Sequence, residues 1–290
     1  MKKNIILLLL IILIINIYGC APAGNIVPAK TGAGYVNPFS SQTSLILYDT
    51  AKVNRAVFLY EKGLKAEKEG LLDQAITNFS GAIESAPDYF DAIYSLAKVY
   101  NKNGSREKAL DLYKKAIHLK PDIAKLYNET GDIYRDMNKL DSAIESYQKA
   151  IDIDPALAES YANLGLMYST RKYIIEKAVY YYNKAIDLNN DPHSSAISHF
   201  QLGMINFFKN NEQIAINQFK LAINKLPDYA PPYFKLGEIY FRKEEEGLAI
   251  EMFEKYIKLA DTKNDQVIEA KKYLKKLDKM KITNPELKNK

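Results

Sequence analysis

One phrase recurs six times along this 290-residue chain: an alanine followed by an aliphatic residue, then an aromatic, then in most copies a second alanine. It first reads Asp73-Gln74-Ala75-Ile76 with Phe79 and Ala82, then Glu107-Lys108-Ala109-Leu110 with Tyr113 and Ala116. It returns as Asp141-Ser142-Ala143-Ile144 with Tyr147 and Ala150, and as Glu176-Lys177-Ala178-Val179 with Tyr182 and Ala185. The last copies are Ala215-Ile216 with Phe219 and Ala222, and Ala249-Ile250 with Phe253, where Tyr256 replaces the second alanine. The leading alanines are spaced 34, 34, 35, 37 and 34 residues apart. A fixed period of this size means stacked supersecondary units, none of which can bury its apolar face alone.

Each phrase has helical spacing, and from the second copy on it is preceded by a second helical signature. These are Leu96-Ala97 with Tyr100, Thr130-Gly131 with Tyr134, Leu164-Gly165 with Tyr168, Leu202-Gly203, and Leu236-Gly237 with Tyr240. A small residue lets two helix backbones approach, and the aromatic or aliphatic residue one turn away fills the space beside the contact. Pro87, Pro121, Pro155 and Pro227 fall just past the second helices, where proline ends a helix without removing an interior hydrogen bond.

Taken together, these motifs closely resemble the tetratricopeptide repeat over about two-thirds of the chain. The resemblance implies an all-α fold, a right-handed superhelical α-solenoid of six helix-turn-helix repeats at 56–89, 90–123, 124–157, 158–195, 196–229 and 230–261. Repeat four carries an extra residue around Lys172 to Ile175, and the link at 189–195 adds three more. Val267, Ala270, Leu274 and Leu277 share one face of the segment 265–280, which fits a capping helix over the last apolar face. Its lysines read as a solvated outer face, and residues 281–290 as a tail.

In such arrays the first helix of each repeat lines the concave wall. At about 100° per residue, repeat positions 2, 5, 9 and 12 lie roughly 130° from the positions facing the partner helix. In repeat one that stripe includes Tyr60, and in repeat two Tyr94. Repeat three supplies only polar residues, Lys125, Asn128, Asp132 and Arg135, with the two cations expected to pair with nearby acids on a solvated face. Repeats five and six turn aromatic, with Phe200, Met204, Phe207, Phe208, Phe234 and Phe241. The expected groove therefore takes an apolar helix or extended peptide of a protein partner on Phe200, Met204, Phe207, Phe208, Phe234, Phe241, Tyr60 and Tyr94. Asn206 stands at the usual core tyrosine position, which would draw Phe207 inward. No three consecutive repeats carry the Lys, Asn, Asn, Lys, Arg set by which related arrays grip the carboxylate end of chaperone tails.

The chain opens with Lys2 and Lys3, an unbroken Ile/Leu run at 5–15, and Ile17-Tyr18-Gly19-Cys20. A positive start followed by a short apolar run reads as an export signal, residues 1–19, since a spanning helix needs about 20 apolar residues. Ile17, Gly19 and Cys20 resemble the lipobox of bacterial lipoproteins. That resemblance implies cleavage before Cys20, acylation of its thiolate and amine, and anchoring in a membrane by several chains. Ala21 at the second mature position resembles lipoproteins sent to an outer membrane, facing the periplasm. Residues 20–50, rich in Pro, Gly, Ser and Thr, read as a lipidated cysteine and flexible tether, with helical texture from about Asp49.

Cys20 is the only cysteine, which excludes a disulfide framework and a cysteine-rich metal site. Forty basic against 35 acidic residues, spread evenly, give no stripe for nucleic acid. His118, His193 and His199 match no common metal spacing, and the last two read as exposed linker residues. No phosphate loop, nucleophile elbow or isolated carboxylate pair is found, so neither cofactor nor catalysis is expected. The expectation is a lipid-anchored scaffold of the cell envelope that assembles or recruits a pilus, secretion or cell-wall machine. The alternative is a glycan-binding accessory subunit using Tyr60, Tyr94 and the polar third repeat.

Overall fold

The computed structural model describes residues 38–170, 174–261 and 264–283, with side-chain surroundings from residue 50 to residue 280. The export signal, Cys20, the first part of the tether, the residues around Lys172 and most of the tail lie outside that range. Two units divide the chain, Met1–Asp49 and Thr50–Lys290, and the repeats belong to the second.

Among the described residues there are thirteen helices and no strand, an all-α superhelical repeat fold. They are α1 (Pro38–Lys68), α2 (Leu72–Ser85), α3 (Phe90–Lys102), α4 (Arg106–Leu119), α5 (Ala124–Asp136), α6 (Leu140–Ile153) and α7 (Ala158–Ser169). The array continues through α8 (Ile175–Leu188), α9 (Pro192–Phe208), α10 (Glu212–Lys225), α11 (Pro231–Arg242), α12 (Glu246–Leu259) and α13 (Asp265–Thr283). Helices α3 to α12 form five successive pairs, α1 meets α2 where Tyr60 and Gly63 face Phe79, and each second helix also packs on the first helix of the next pair.

What brings each pair together is a ring seated on a missing side chain. A Cβ added at Gly63 would stand 2.5 Å from the Phe79 ring, and one at Gly131 would stand 2.5 Å from Tyr147. Gly165 meets Tyr182 at 2.6 Å, Gly203 meets Phe219 at 2.5 Å, and Gly237 meets Phe253 at 2.7 Å. In repeat two Ala97 takes this place, fully buried with Tyr113 in one cluster. The alanines that open and close the second-helix phrase, from Ala75 to Ala249, are likewise fully buried. The core is thus a file of small apolar clusters strung along the array.

The turns within pairs are equally regular. Gly70, Gly104, Asn138, Asn210 and Glu244 take φ of 77°, 78°, 58°, 59° and 60°, just after the first helix. The next residue then bonds back five positions, as Ser105 N to Tyr100 O (2.9 Å) and Lys139 N to Tyr134 O (2.8 Å) do. This left-handed close satisfies the last carbonyls, and glycine or asparagine adopts it most easily.

Three expectations are corrected. The tether reading extends too far, because α1 begins at Pro38: proline is tolerated at the first helical position, and no further Pro or Gly interrupts the chain before Gly63. The link at 189–195 is shorter than it reads, because Asp191 caps α9 by accepting from the His193 and Ser194 amides, with Pro192 opening the helix. The tail starts later than 281, because α13 runs on to Thr283.

In the terminal helix, Val267, Ala270 and Leu277 are buried and Leu274 is half-buried. Tyr273, which periodicity does not single out, stacks on Phe253 at 4.8 Å and meets Phe241 edge-on at 4.9 Å.

Candidate functional site

Position 5 of the first helix is an aromatic in four repeats, and in all four its ring meets the aromatic of the second helix. The centroid distances are 5.7 Å for Tyr60–Phe79, 6.1 Å for Tyr94–Tyr113, 5.6 Å for Phe200–Phe219 and 5.8 Å for Phe234–Phe253. Two of these pairs are tilted and two edge-to-face, contacts that hold the ring on the rim of its own helix pair. Tyr60 also meets Tyr89 at 5.2 Å, and Phe200 meets Tyr229 at 5.6 Å.

The groove assignment changes accordingly. Phe234 is only 2 % exposed and is a core residue. The cause is Tyr256 in place of an alanine, since its ring lies 5.1 Å from Phe234 and extends the apolar wall that receives it. Phe200, Met204, Phe207 and Phe241 are half-buried against the core of repeats five and six and the terminal helix. Tyr60 and Tyr94 are half-buried rim rings. Phe208 stands apart at 74 % exposed, its ring 5.8 Å from Phe207. Around Phe207 lie the Arg242 guanidinium at 4.9 Å and the Lys235 ammonium at 6.0 Å from the ring centre. The patch is therefore narrower than the sequence suggests: one projecting phenylalanine, a half-buried neighbour and two cations.

The middle of the array holds a connected polar network that the sequence pattern does not reveal. In repeat three, position 5 is Asn128, fully buried, and its Oδ1 accepts from Ser160 Oγ (2.8 Å) and Asn163 Nδ2 (3.2 Å) on α7. Asp132 accepts from Arg135 (2.7 Å), from the Tyr147 hydroxyl (2.9 Å) and from Asn163 Nδ2 (3.3 Å). Arg135 also reaches Asp136 at 3.3 Å. Glu129 Oε1 accepts from the Tyr94 hydroxyl at 2.9 Å and lies 3.9 Å from Lys125 Nζ. Lys125 and Arg135 do pair with neighbouring acids, but the base of this face is buried rather than solvated.

Burial raises the Asp132 carboxyl above the ordinary carboxylate range, although Arg135 and Tyr147 pull the other way. Loss of solvent around Glu159 raises its carboxyl too, assisted by the charge of Asp132, while Lys125 opposes the rise. Burial pushes the Tyr94 and Tyr113 hydroxyls upward, and the Glu129 charge adds to both shifts. These groups share one field across α3 to α7.

His193 is exposed, but the linker reading fails for His199, which is 7 % exposed on α9 with Nδ1 2.7 Å from Gln218 Oε1. Burial holds its ring below the usual histidine value. The helical start at Pro192 carries it inward.

Comparisons with known proteins agree with the architecture. Residues 60–124 and 230–263 match family profiles described as tetratricopeptide repeat, and residues 131–170 match one described as TPR repeat. The search of curated proteins gives no match. Among solved structures, a crystal structure of MamA is 26 % identical with a TM-score of 0.50, covering 56 % of this chain and 93 % of that one. PilF of Pseudomonas aeruginosa is 19 % identical with a TM-score of 0.60, covering 76 % and 97 %. The Cut9–Hcn1 hetero-tetramer of the APC/C is 18 % identical with a TM-score of 0.62, covering 81 % of this chain but 46 % of that one.

Proposed function

The chain is a tetratricopeptide-repeat protein, and from that premise we propose that it is a lipid-anchored scaffold of a bacterial cell envelope, recruiting or assembling a pilus, secretion or cell-wall machine. The repeats are a scaffold for protein–protein interaction. Proteins of this kind are generally not enzymes, and no catalytic role is assigned to this one. The observation that carries the partner reading is Phe208, 74 % exposed at the end of a first helix beside half-buried Phe207. Covering a ring of that size with a partner gains about 2 kcal/mol. The envelope reading rests on the export-type start and the lipobox-like Ile17-Tyr18-Gly19-Cys20.

A photoreactive phenylalanine at position 208 is expected to crosslink one dominant envelope protein in intact cells. Phe208→Glu, which alters a surface ring alone, should abolish that product in co-purification while leaving the helical signal unchanged. Co-purification at full yield by the folded variant would sink the assignment of this patch. For the anchor, cells fed labelled palmitate should label the wild-type protein and not Cys20→Ser. Persistent label in Cys20→Ser would show that this cysteine is not the acceptor.

A further inference from the structure

A capping helix needs only a polar outer face, and mixed charges supply one. Helix α13 is more one-sided than that. Its inner side, Val267, Ala270 and Leu277, is buried against the sixth repeat, and residues 271–279 then carry five lysines against one acid, Asp278. Asp265 and Glu269 belong to the first two turns, at the positive end of the helix dipole. At about 100° per residue the five lysines fall within an arc of roughly 140° on the side away from the buried residues. All five are exposed, and so is Ile268, at 53 %, in the middle of their arc.

The even spread of charge that the whole composition suggests does not hold at this end. Residues 262–290 contain nine lysines and four acids, whereas residues 50–261 contain 28 basic and 30 acidic residues. Residues 98–120 are equally basic, with seven cations and two acids, but five of those cations are engaged within the array. Arg106 lies 3.8 Å from Asp136, Lys115 donates to Pro87 O at 2.6 Å, and Lys98, Lys108 and Lys120 stand over rings. On α13, Lys271, Lys272 and Lys275 have no ion pair or ring contact among the described residues, and Lys276 stands over the Tyr273 ring at 5.6 Å.

Unpaired cations around one apolar side chain match a surface with dense negative charge over a shallow apolar layer. The headgroup region of an anionic bilayer is such a surface. Phosphates alone would answer the lysines and leave Ile268 in water. We propose that this face of α13 binds the headgroups of anionic phospholipids, with Ile268 entering the headgroup layer, as a membrane contact independent of Cys20. Each lysine brought near such a surface strengthens binding roughly fivefold, an effect that fades beyond a screening length of about 10 Å at 0.1 M salt. The inference goes beyond the scaffold reading and takes from it only the presence of a membrane, which vesicles supply directly.

The test places a photoreactive phenylalanine at position 268 of the purified full chain and measures lipid adducts on two kinds of vesicle, phosphatidylcholine alone and phosphatidylcholine with an equal part of phosphatidylglycerol. The anionic vesicles are expected to give roughly tenfold more adduct or better. Because the amino-terminal segment can hold the chain on either vesicle, that excess reads α13 alone. Lys271→Glu/Lys272→Glu/Lys275→Glu, which alters exposed side chains only, should lose the excess and keep the wild-type melting temperature. Raising salt to about 1 M, which shortens the screening length to about 3 Å, should remove it from the wild type as well. Equal labelling of both vesicles overturns the proposal, because Ile268 then meets lipid without help from charge. An excess that survives the triple variant or the salt overturns it too, as does the absence of adduct on either vesicle. Stronger labelling of duplex DNA than of the anionic vesicles would assign the face to nucleic acid instead. None of these failures touches the acyl anchor, which palmitate labelling of Cys20 tests separately.

Discussion

Gly165→Leu is expected to lower the melting temperature by roughly 6–12 °C, the equivalent of about 3 kcal/mol in an array of this size. Even a Cβ at this position would stand 2.6 Å from Cδ1 and Cε1 of Tyr182, a ring with no exposed surface through which to retreat. The helices α7 and α8 must then separate, and α8 also supports α9, so damage at the middle of the array reaches both neighbours. Gly247→Leu is the control, because a side chain there, at the start of α12, meets nothing within 4 Å. That substitution is expected to leave stability unchanged or to raise it by up to about 1 kcal/mol, since leucine is the better helix former. Thermal melts of both variants check the pair. Equal losses at the two sites would show that generic helix effects, not ring seating, govern stability.

Leu277→Asp should have the other large effect, and a local one. Leu277 is 1 % exposed in the cluster that joins α13 to Phe253 and Tyr256. Removing a buried leucine costs about 2–5 kcal/mol, and a carboxylate in its place adds the cost of taking a charge out of water. The cheaper outcome is for α13 to undock. Because each repeat contacts only its neighbours, the loss should be confined to the end of the array. Amide hydrogen exchange is expected to show α11, α12 and α13 losing protection while α3 to α6 exchange as in wild type. A uniform loss across all six repeats would contradict the nearest-neighbour description.

The repeat architecture is legible in the sequence because one contact generates it, a small residue on the first helix against a ring on the second, and both recur at fixed spacing. Even Ala97, where other repeats have glycine, fits the pattern. Side-chain direction beyond that contact is less legible. Phe234 has a groove position by helical angle, yet one substitution on another helix, Tyr256 for alanine, draws it into the core. His199 reads as a linker residue because Pro192 looks like a break, whereas Asp191 caps the helix that Pro192 opens. Asn128 is the most instructive. The sequence shows a polar residue on a presumed solvated stripe, and only the bonds to Ser160 and Asn163 of the next repeat reveal a buried amide. Single-helix periodicity reports angle within a repeat and carries no information about what the adjacent repeat brings to the same spot.

The aromatic pairing at position 5 also sets how the array can be rearranged. Repeats one, five and six satisfy that position internally, ring on ring, so each could be exchanged as a single cassette without opening a polar group there, whereas the Tyr94 hydroxyl of repeat two donates to Glu129 of repeat three. Repeats three and four cannot be handled this way. Asn128 of one is answered by Ser160 and Asn163 of the other, and a recombination boundary between them would leave three side-chain amides and hydroxyls stranded. The chain is therefore three interchangeable cassettes flanking one indivisible block, and chimaeras with relatives should be spliced on either side of residues 90–188, never within them.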